Sequence, residues 1–347
     1  MTRYFDNSMR LFYISSCVAM MLGVCFALAK MDIYKFIFLH IAPAFAYSGF
    51  LLTALKSWHN YTKSLFLVKI TFYFAILLAL FLSFFALNLS YLLLGVFWLS
   101  FAIVALFLMI RDGNLANISI AFSLFSFFLV EVLLFLNYDE RFSELFLHLN
   151  LILLLIVGFK ISSVIANKAL KEIKDAVFIP NFIDKNLAIF FIFLYMIAFL
   201  YDKSVSGYFA IAVGLVVFAK LRELFYLILL KKAYVFIYFL ITLFMAIGYF
   251  GLGVCELFLA NFRVWMIDFL YLSSVVAMLL FIFNVTSLLY SKEELSFTNS
   301  TKFSFLALFL SAILGNFLYL QALLLITSLL VCITNLKNIK WKQKLDW

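Results

Sequence analysis

The sequence predicts an all-α fold, a polytopic transmembrane bundle of about twelve helices (ten to twelve). Of its 347 residues, 67% are hydrophobic and only 12% are charged, whereas soluble domains carry about 25% charged residues. Phe alone contributes 47 residues, and Pro only 2. No soluble core can bury so much apolar surface, so the surrounding solvent must be lipid. Residues 1–347 are therefore expected to form a single integral membrane domain, with the lipid bilayer as its partner.

Twelve apolar stretches approach the roughly 20 residues with which a helix crosses a bilayer. The first follows Arg3 and Arg10 as a signal peptide would, but it is long enough to span and is assigned as a helix. In chain order, the predicted spans are 11–29, 35–55, 65–87, 89–110, 115–136, 143–165, 187–201, 204–221, 234–260, 264–290, 303–315 and 317–336. The seventh, eighth and eleventh are short, so ten or eleven spans remain possible.

The distribution of Lys and Arg tests this topology, because cytoplasmic loops collect positive residues. With twelve spans, one side of the membrane holds seventeen of them: Arg3, Arg10, Lys56, Lys63, Arg111, Lys168, Lys171, Lys174, Lys185, Lys231, Lys232, Lys292, Lys302, Lys337, Lys340, Lys342 and Lys344. The other side holds five: Lys30, Lys35, Arg141, Lys203 and Arg263. Both termini are therefore predicted to be cytoplasmic.

The loops and the net charge exclude several classes of function. The +9 net charge follows from the positive cytoplasmic loops, so no nucleic-acid partner is expected. The one sizeable loop, residues 166–186, has alternating charges before Pro180, which predicts a short amphipathic helix on the inner membrane surface. Without a Ser/His/Asp set, phosphate loop or zinc motif, hydrolase chemistry of the soluble type is not expected, and no catalytic residue is assigned.

Ionisable groups inside a span are costly in lipid, so each is a candidate functional residue. Five of them lie at similar depth in the outer leaflet when about 1.5 Å is counted per residue from the predicted outer helix ends. They are His40 in helix two, Glu131 in helix five, His148 in helix six, Glu256 in helix nine and Asp268 in helix ten. Their shared depth predicts a polar layer around a pocket that opens toward the periplasm.

Two hypotheses explain this polar layer. In the first, His40 and His148 hold a metal or clamp a b-type haem, each through one ring nitrogen, while a carboxylate orients the other nitrogen. In the second, each histidine hydrogen-bonds a neighbouring helix, and the acids pair with Arg141 or Arg263. Residue types alone leave both hypotheses open.

The stretch "YSGFLLTALKSWHN", residues 47–60, lies at the inner end of helix two. Ser48 and Gly49 form a small-residue patch that predicts close approach of another helix. Trp58 is expected at the membrane interface, and His59 in a solvated loop where it is a poor ligand candidate. In helix six, Lys160 is expected to reach the cytoplasmic surface or to pair with an acid or an anionic ligand.

Three segments resemble marked segments of the NnrS family. "GFLLTALKSW", from Gly49 to Trp58, is similar to that family's helix-end motif, in which a GFLLTA run leads to a Trp. "GFKISSVIANKAL", which contains Gly158, Lys160 and Asn167, resembles the family's Gly-Gly-Arg-Val-Ile-Pro segment and its Asn-X-Ala-Leu ending. Residues 264–296 occupy the place of a third marked segment, and the order and spacing fit along the whole chain.

NnrS proteins are described as haem- and copper-containing membrane proteins linked to nitric oxide metabolism and resistance to nitrosative stress. The resemblance implies a multi-pass protein of the bacterial cytoplasmic (inner) membrane with the same role. It implies b-type haem and copper as candidate cofactors, and nitric oxide or haem as candidate partners.

This sequence departs from the family pattern in three places. The Trp-His-X-His-Glu cluster near the outer end of helix two is "DIYKFIFLHIAPAF" here, which leaves His40 alone. The Gly-His-Thr-Gly-Arg segment after helix ten is "YSKEELSF", without a His, and Lys160 stands where the family has Arg. Fewer or no cofactors would follow. The alternative function is a secondary transporter of a small solute, which the twelve-helix outline also fits; whether the protein is an enzyme stays open.

Overall fold

The structure, a computed structural model, describes residues 8–136, 141–171, 176–315 and 317–339. These residues contain twelve helical rods and no strand. The rods are α1 Ser8–Leu28, α2 Ile33–Trp58, α3 Phe66–Leu82, α4 Leu87–Asp112, α5 Ile118–Phe135, α6 Arg141–Leu170, α7 Phe182–Tyr201, α8 Lys203–Lys220, α9 Ala233–Phe258, α10 Ala260–Tyr290, α11 Asn299–Ile313 and α12 Leu318–Asn338. A 3₁₀ turn, Leu221–Glu223, and a one-turn helix, Leu227–Leu230, connect α8 to α9.

Ten of the twelve rods are long and apolar enough to cross a membrane, which confirms a multi-pass helical bundle. The two that fall short are α3, with 17 residues, and α11, with 15. The expectation that the seventh span is short was wrong, because α7 has 20 residues. Helix α8 has 18 residues, and the candidate span Ser204–Glu223 reaches 20 by including the 3₁₀ turn that follows it. The eleventh span is short, as expected. Helices α7 and α8 continue through charged residues at their ends, and long side chains there can carry their charge to the membrane surface.

The segment between α6 and α7 is shorter than the predicted loop. Helix α6 extends to Leu170, α7 begins at Phe182, and residues 176–181 contain no helix. Residues 172–175 lie outside the described part of the chain. The Asn167 side chain fastens this segment to α6, since its amide donates to the Phe178 carbonyl at 3.1 Å and its oxygen accepts from the Phe178 N–H at 2.8 Å. The amphipathic helix stays a prediction.

The chain divides into two compact units, whose boundaries fall inside α6, α10 and α12. The first unit comprises Met1–Leu149, Thr286–Lys292 and Cys332–Trp347, and the second comprises Asn150–Val285 and Glu293–Val331. In the first unit α1 packs on α2, and α4 packs on α3 and α5. In the second unit α8 lies between α7 and α9. That these units act as one membrane domain stays a prediction.

Small residues allow the closest helix contacts in both units. A Cβ added at Gly49 in α2 would lie 2.8 Å from the Phe12 Cβ atom of α1, and one added at Gly214 in α8 would lie 2.8 Å from the Phe250 backbone nitrogen of α9. Helices in lipid associate by such close packing, because lipid provides no hydrophobic driving force between them. The small-residue patch predicted in α2 is therefore a packing surface, and 83% of the apolar window of α2 is buried.

Candidate functional site

In the first unit, a histidine on α2 and a glutamate on α5 form a buried pair. His40 Nδ1 lies 2.9 Å from Glu131 Oε1, and both side chains are completely buried. An ionised carboxylate can only accept a hydrogen bond, so Nδ1 then carries the proton and Nε2 keeps its lone pair. Two members of the predicted polar layer, His40 and Glu131, are therefore in direct contact.

The backbone around His40 leaves the regular α-helix. Residues Ile37–Ile41 form a π-helical turn in the middle of α2. Pro43 follows this turn, has no N–H to give to the carbonyl of Leu39, and would clash with that carbonyl in a regular helix. A wider turn relieves both problems, and π turns are frequent at functional sites. On the facing helix α1, Ser16 donates to the Ala42 carbonyl at 2.8 Å, which helps to satisfy the altered backbone.

Aromatic rings enclose the His40 imidazole. Phe146 from α6 stacks on it with ring centroids 4.0 Å apart, and Phe36 stacks at 5.2 Å. Tyr91 from α4 meets the ring edge-on at 5.5 Å. These contacts fix the plane of the imidazole, so the Nε2 atom has a defined direction.

Three buried polar atoms in this cluster make no hydrogen bond of good geometry. Among the described residues, His40 Nε2, Glu131 Oε2 and Trp98 Nε1 have no hydrogen-bond partner. The Trp98 indole N–H lies close enough to the Glu131 carboxyl group to interact with it, so these two groups can satisfy each other. Leaving a buried polar atom unpaired costs about 1–3 kcal/mol, and His40 Nε2 is therefore the atom of this cluster that a ligand can satisfy.

A cavity of about 600 Å³ lies beside this cluster. Phe36 and Tyr91 line it and also contact the His40 ring. The rest of its lining comes from the ends of α2, α3, α4, α5 and α6 and includes polar and charged side chains: Asp32, Ile33, Lys35, Ser83, Leu87, Asn88, Leu134 and Ser143. The volume falls in the usual range of small-molecule pockets, about 300–1,000 Å³. A small molecule in this cavity would therefore contact Phe36 and Tyr91, the two rings that separate it from the His40 imidazole.

The second predicted histidine, His148, is also fully buried, on α6. It follows Phe146 by two residues, and in a helix two residues turn the side chain by roughly 200°. Because Phe146 stacks on His40, His148 leaves α6 in a different direction. Joint ligation of one cofactor by His40 and His148 stays a prediction.

The expectation that His59 lies in a solvated loop was wrong. His59 is buried at the end of α2, where its Nδ1 lies 3.2 Å from Asp112 Oδ2 and its Nε2 lies 3.0 Å from the Asn117 amide nitrogen. Both ring nitrogens are therefore engaged, and a metal would have to displace Asn117 or Asp112. His59 joins α2 to the end of α4 and the start of α5, which is a structural role.

The remaining acids lie in the second unit. Glu256 on α9 accepts hydrogen bonds from Tyr195 at 2.9 Å, Ser206 at 2.6 Å and Arg263 at 3.2 Å. Its pairing with Arg263 is what the second hypothesis expected, and the carboxylate links α7, α8, α9 and α10. Asp268 on α10 is exposed, so it does not share the buried environment of Glu256.

The residues of the family-like segments are mainly packing positions. Trp58 is half-buried and packs edge-on against Phe50, with ring centroids 5.9 Å apart. A Cβ added at Gly158 would lie 3.1 Å from the Tyr238 hydroxyl of α9. Lys160 is half-buried. No member of this group lies in the His40–Glu131 cluster.

The cluster offers a ligand atom for one of the candidate cofactors. A single imidazole is enough for the proximal ligand of a haem, and His40 offers Nε2 while a carboxylate holds its other nitrogen, as is usual for metal-binding histidines. Protein copper sites combine several His, Cys or Met ligands. In the described ranges no group of three or more His, Cys, Asp or Glu side chains could hold a metal ion.

The sequence alone did not predict the aromatic rings around His40 or the π turn in α2. Phe36, Tyr91, Trp98 and Phe146 are a few among many aromatic residues, so composition does not single them out. Pro43 was an available signal, because a proline inside a span disturbs the helix within the preceding turn.

A family model described as "NnrS protein" matches residues 3–340, nearly the whole chain. No curated protein matches, and no solved structure matches. The helical fold, the membrane spans and the extent of the match agree, and the chain belongs to the NnrS family.

Proposed function

We propose that this protein binds a b-type haem through His40 Nε2 and acts in nitric oxide or nitrosative-stress metabolism. The observation that carries the proposal is the buried His40–Glu131 pair, 2.9 Å apart, in which His40 Nε2 has no hydrogen-bond partner. Phe36 and Tyr91, which contact the imidazole, line a cavity of about 600 Å³. Family membership supports the same role, because NnrS proteins are described as haem-containing and linked to nitric oxide.

The residues of the cluster have separate tasks in this proposal. Glu131 accepts a hydrogen bond from Nδ1–H, fixes the tautomer and makes Nε2 a stronger electron donor. Phe36 and Phe146 hold the imidazole plane, and Tyr91 contacts its edge and lines the cavity. A bound haem would supply an iron centre to which nitric oxide can coordinate. The aromatic shell keeps water from the imidazole, which strengthens the hydrogen bond between its Nδ1 and Glu131.

No part of the proposed function depends on copper.

The visible absorption spectrum of the purified full-length protein tests the proposal. After expression with haem supply and purification in mild detergent, we expect a Soret band that shifts when nitric oxide is added under anaerobic conditions. A colourless protein that takes up no haem would contradict the proposal and favour the alternative, a secondary transporter with a periplasm-facing pocket.

A further inference from the structure

The lining of the cavity of about 600 Å³ in the first unit includes one acidic and one basic residue, Asp32 and Lys35. Asp32 directly precedes α2, and Lys35 lies in its first turn. Oppositely charged residues three positions apart can pair on a helix, but within the described part of the chain these two side chains form no ion pair with each other or with a third residue. Both are exposed, so a ligand can reach them from water.

The Asp32 carboxylate is not used by the helix that follows it. An aspartate at the N-cap commonly accepts hydrogen bonds from the N–H groups of the first helical turn. The backbone of Asp32 is helical instead, with φ −60° and ψ −19°, and its side chain makes no capping hydrogen bond. The carboxylate is therefore available to a positively charged group in the cavity.

Helix α4 begins at the same cavity. Its first two residues, Leu87 and Asn88, line the cavity, and Ala86 at the N-cap provides no side-chain capping hydrogen bond. The N–H groups at the start of a helix carry a partial positive charge and favour a carboxylate. Together with the Asn88 amide and the Lys35 ammonium group, they provide the cavity with hydrogen-bond donors for an anionic group.

The cavity also has an apolar lining. Phe36 and Tyr91 meet edge to face, with ring centroids 5.3 Å apart and an interplanar angle of 83°. Ile33, Leu87 and Leu134 add aliphatic surface. Aromatic faces attract ammonium groups, and the aliphatic side chains can contact an apolar substituent. The lining thus combines an acid, a base and an apolar surface.

We propose that this cavity binds the zwitterion of an α-amino acid with an apolar side chain. Asp32 pairs with the ammonium group, Lys35 and Asn88 bind the carboxylate, and the apolar lining contacts the side chain. A ligand with a single charge would use only one of the two charged residues. The site is separate from His40 Nε2 and binds its ligand with or without haem.

Equilibrium dialysis of radiolabelled L-leucine against the full-length protein in neutral detergent tests the proposal. Two unlabelled competitors each lack one of its charges: 4-methylpentanoate has no ammonium group, and 3-methylbutylamine has no carboxylate. We expect saturable binding of leucine, and displacement by unlabelled leucine at concentrations at which neither competitor displaces it.

Asp32→Asn and Lys35→Gln each keep the approximate size of the side chain and remove one charge. Each should weaken leucine binding at least about five-fold, because a hydrogen bond between charged groups is lost. Lys30→Gln is the matched control: Lys30 is exposed, lies close in sequence and is not part of the lining, so leucine affinity should stay at the wild-type level. The thermal midpoint without leucine checks the fold of each variant.

Three outcomes would overturn the proposal or part of it. No saturable leucine binding at millimolar concentration would overturn the site, and so would equal affinity in folded wild-type, Asp32→Asn and Lys35→Gln protein. Displacement by 4-methylpentanoate as effective as that by leucine, with Asp32→Asn unchanged, would leave an anion site and overturn the zwitterion as its ligand.

Discussion

At the level of single residues, the electronic role of Glu131 can be separated from its packing role. Glu131→Gln keeps the size of the side chain and an oxygen that accepts a hydrogen bond from His40 Nδ1–H, but it removes the negative charge. Changing a group that hydrogen-bonds a metal-binding histidine typically weakens metal binding by about 10–100-fold. We therefore expect haem affinity, measured by titration of the Soret band, to fall at least about ten-fold while the thermal midpoint of the protein without haem stays near the wild-type value. An unchanged affinity would show that the carboxylate charge has no part in haem binding.

Alanine substitutions at two glycines, Gly49 and Gly95, are expected to change the stability of the protein differently. A Cβ at Gly49 would lie 2.8 Å from Phe12, whereas a Cβ at Gly95 would lie 3.5 Å from its nearest neighbour, an ordinary contact. Overpacking costs about 1–3 kcal/mol, while Gly→Ala inside a helix otherwise gains roughly 0.5–1 kcal/mol. Gly49→Ala should lower the thermal midpoint in detergent, and Gly95→Ala should leave it unchanged or raise it. Equal midpoints for the two variants would argue against a tight α1–α2 contact.

The sequence allowed the depth of single residues to be predicted, but not their contacts. Counting helical rise from the span ends placed His40 and Glu131 at the same level, and they form a hydrogen bond. The same counting ended helix two before His59 and put His59 in a loop. Its partners Asp112 and Asn117 are more than fifty residues away in the chain, so no neighbouring residue indicates that it is buried. Tertiary partners of this kind carry no local sequence signal.

At the level of secondary-structure elements, His59 connects three helix ends. Replacing it with Ala leaves Asp112 and Asn117 without their ring partner, and a buried polar group that loses its partner costs about 1–3 kcal/mol. His59→Ala should therefore lower the thermal midpoint clearly. Lys63→Ala, at an exposed position four residues later, is the control and should have little effect. A His59→Ala variant as stable as Lys63→Ala would mean that the contact does not hold these ends together.

Helix bounds were predicted well where apolar runs are uninterrupted and less well where charged residues lie near a helix end. The predicted seventh span began at residue 187, but α7 begins at Phe182, because Asp184 and Lys185 are accommodated in its first turn. Asn181 explains the true start, since its side chain accepts from the Ile183 N–H at 2.9 Å and caps the helix. The π turn in α2 followed from Pro43, a local signal that hydropathy does not detect.

At the level of the whole molecule, the predicted orientation rests on the seventeen-to-five distribution of Lys and Arg. A phosphatase or fluorescent reporter fused at Lys344, and another inserted in residues 137–142, tests it. The Lys344 fusion should report the cytoplasm, and the insertion should report the periplasm. A periplasmic signal at Lys344 would reverse the orientation and place the cavity beside His40 on the cytoplasmic side.

The overall class of the protein was predictable from composition, because apolar residues in such excess fit only a bilayer. The division into two compact units was not, since no linker or change in composition marks it. The family followed from short segments such as "GFLLTALKSW", whose residues prove to be packing positions. Function is harder to predict, because the candidate site uses a histidine that stands apart from the family-like segments.

The central claim is that His40 is the haem ligand, and a haem titration of matched histidine variants tests it most directly. Full-length wild-type, His40→Gln, His148→Ala and His59→Ala proteins are titrated with haem and followed by the Soret band; the Gln amide can still donate to Glu131. We predict that His40→Gln loses or shifts the Soret band, that His59→Ala keeps the wild-type spectrum, and that His148→Ala shifts the band only if His148 provides a second ligand. A His40→Gln protein that is folded and has the wild-type Soret band and affinity would contradict the claim.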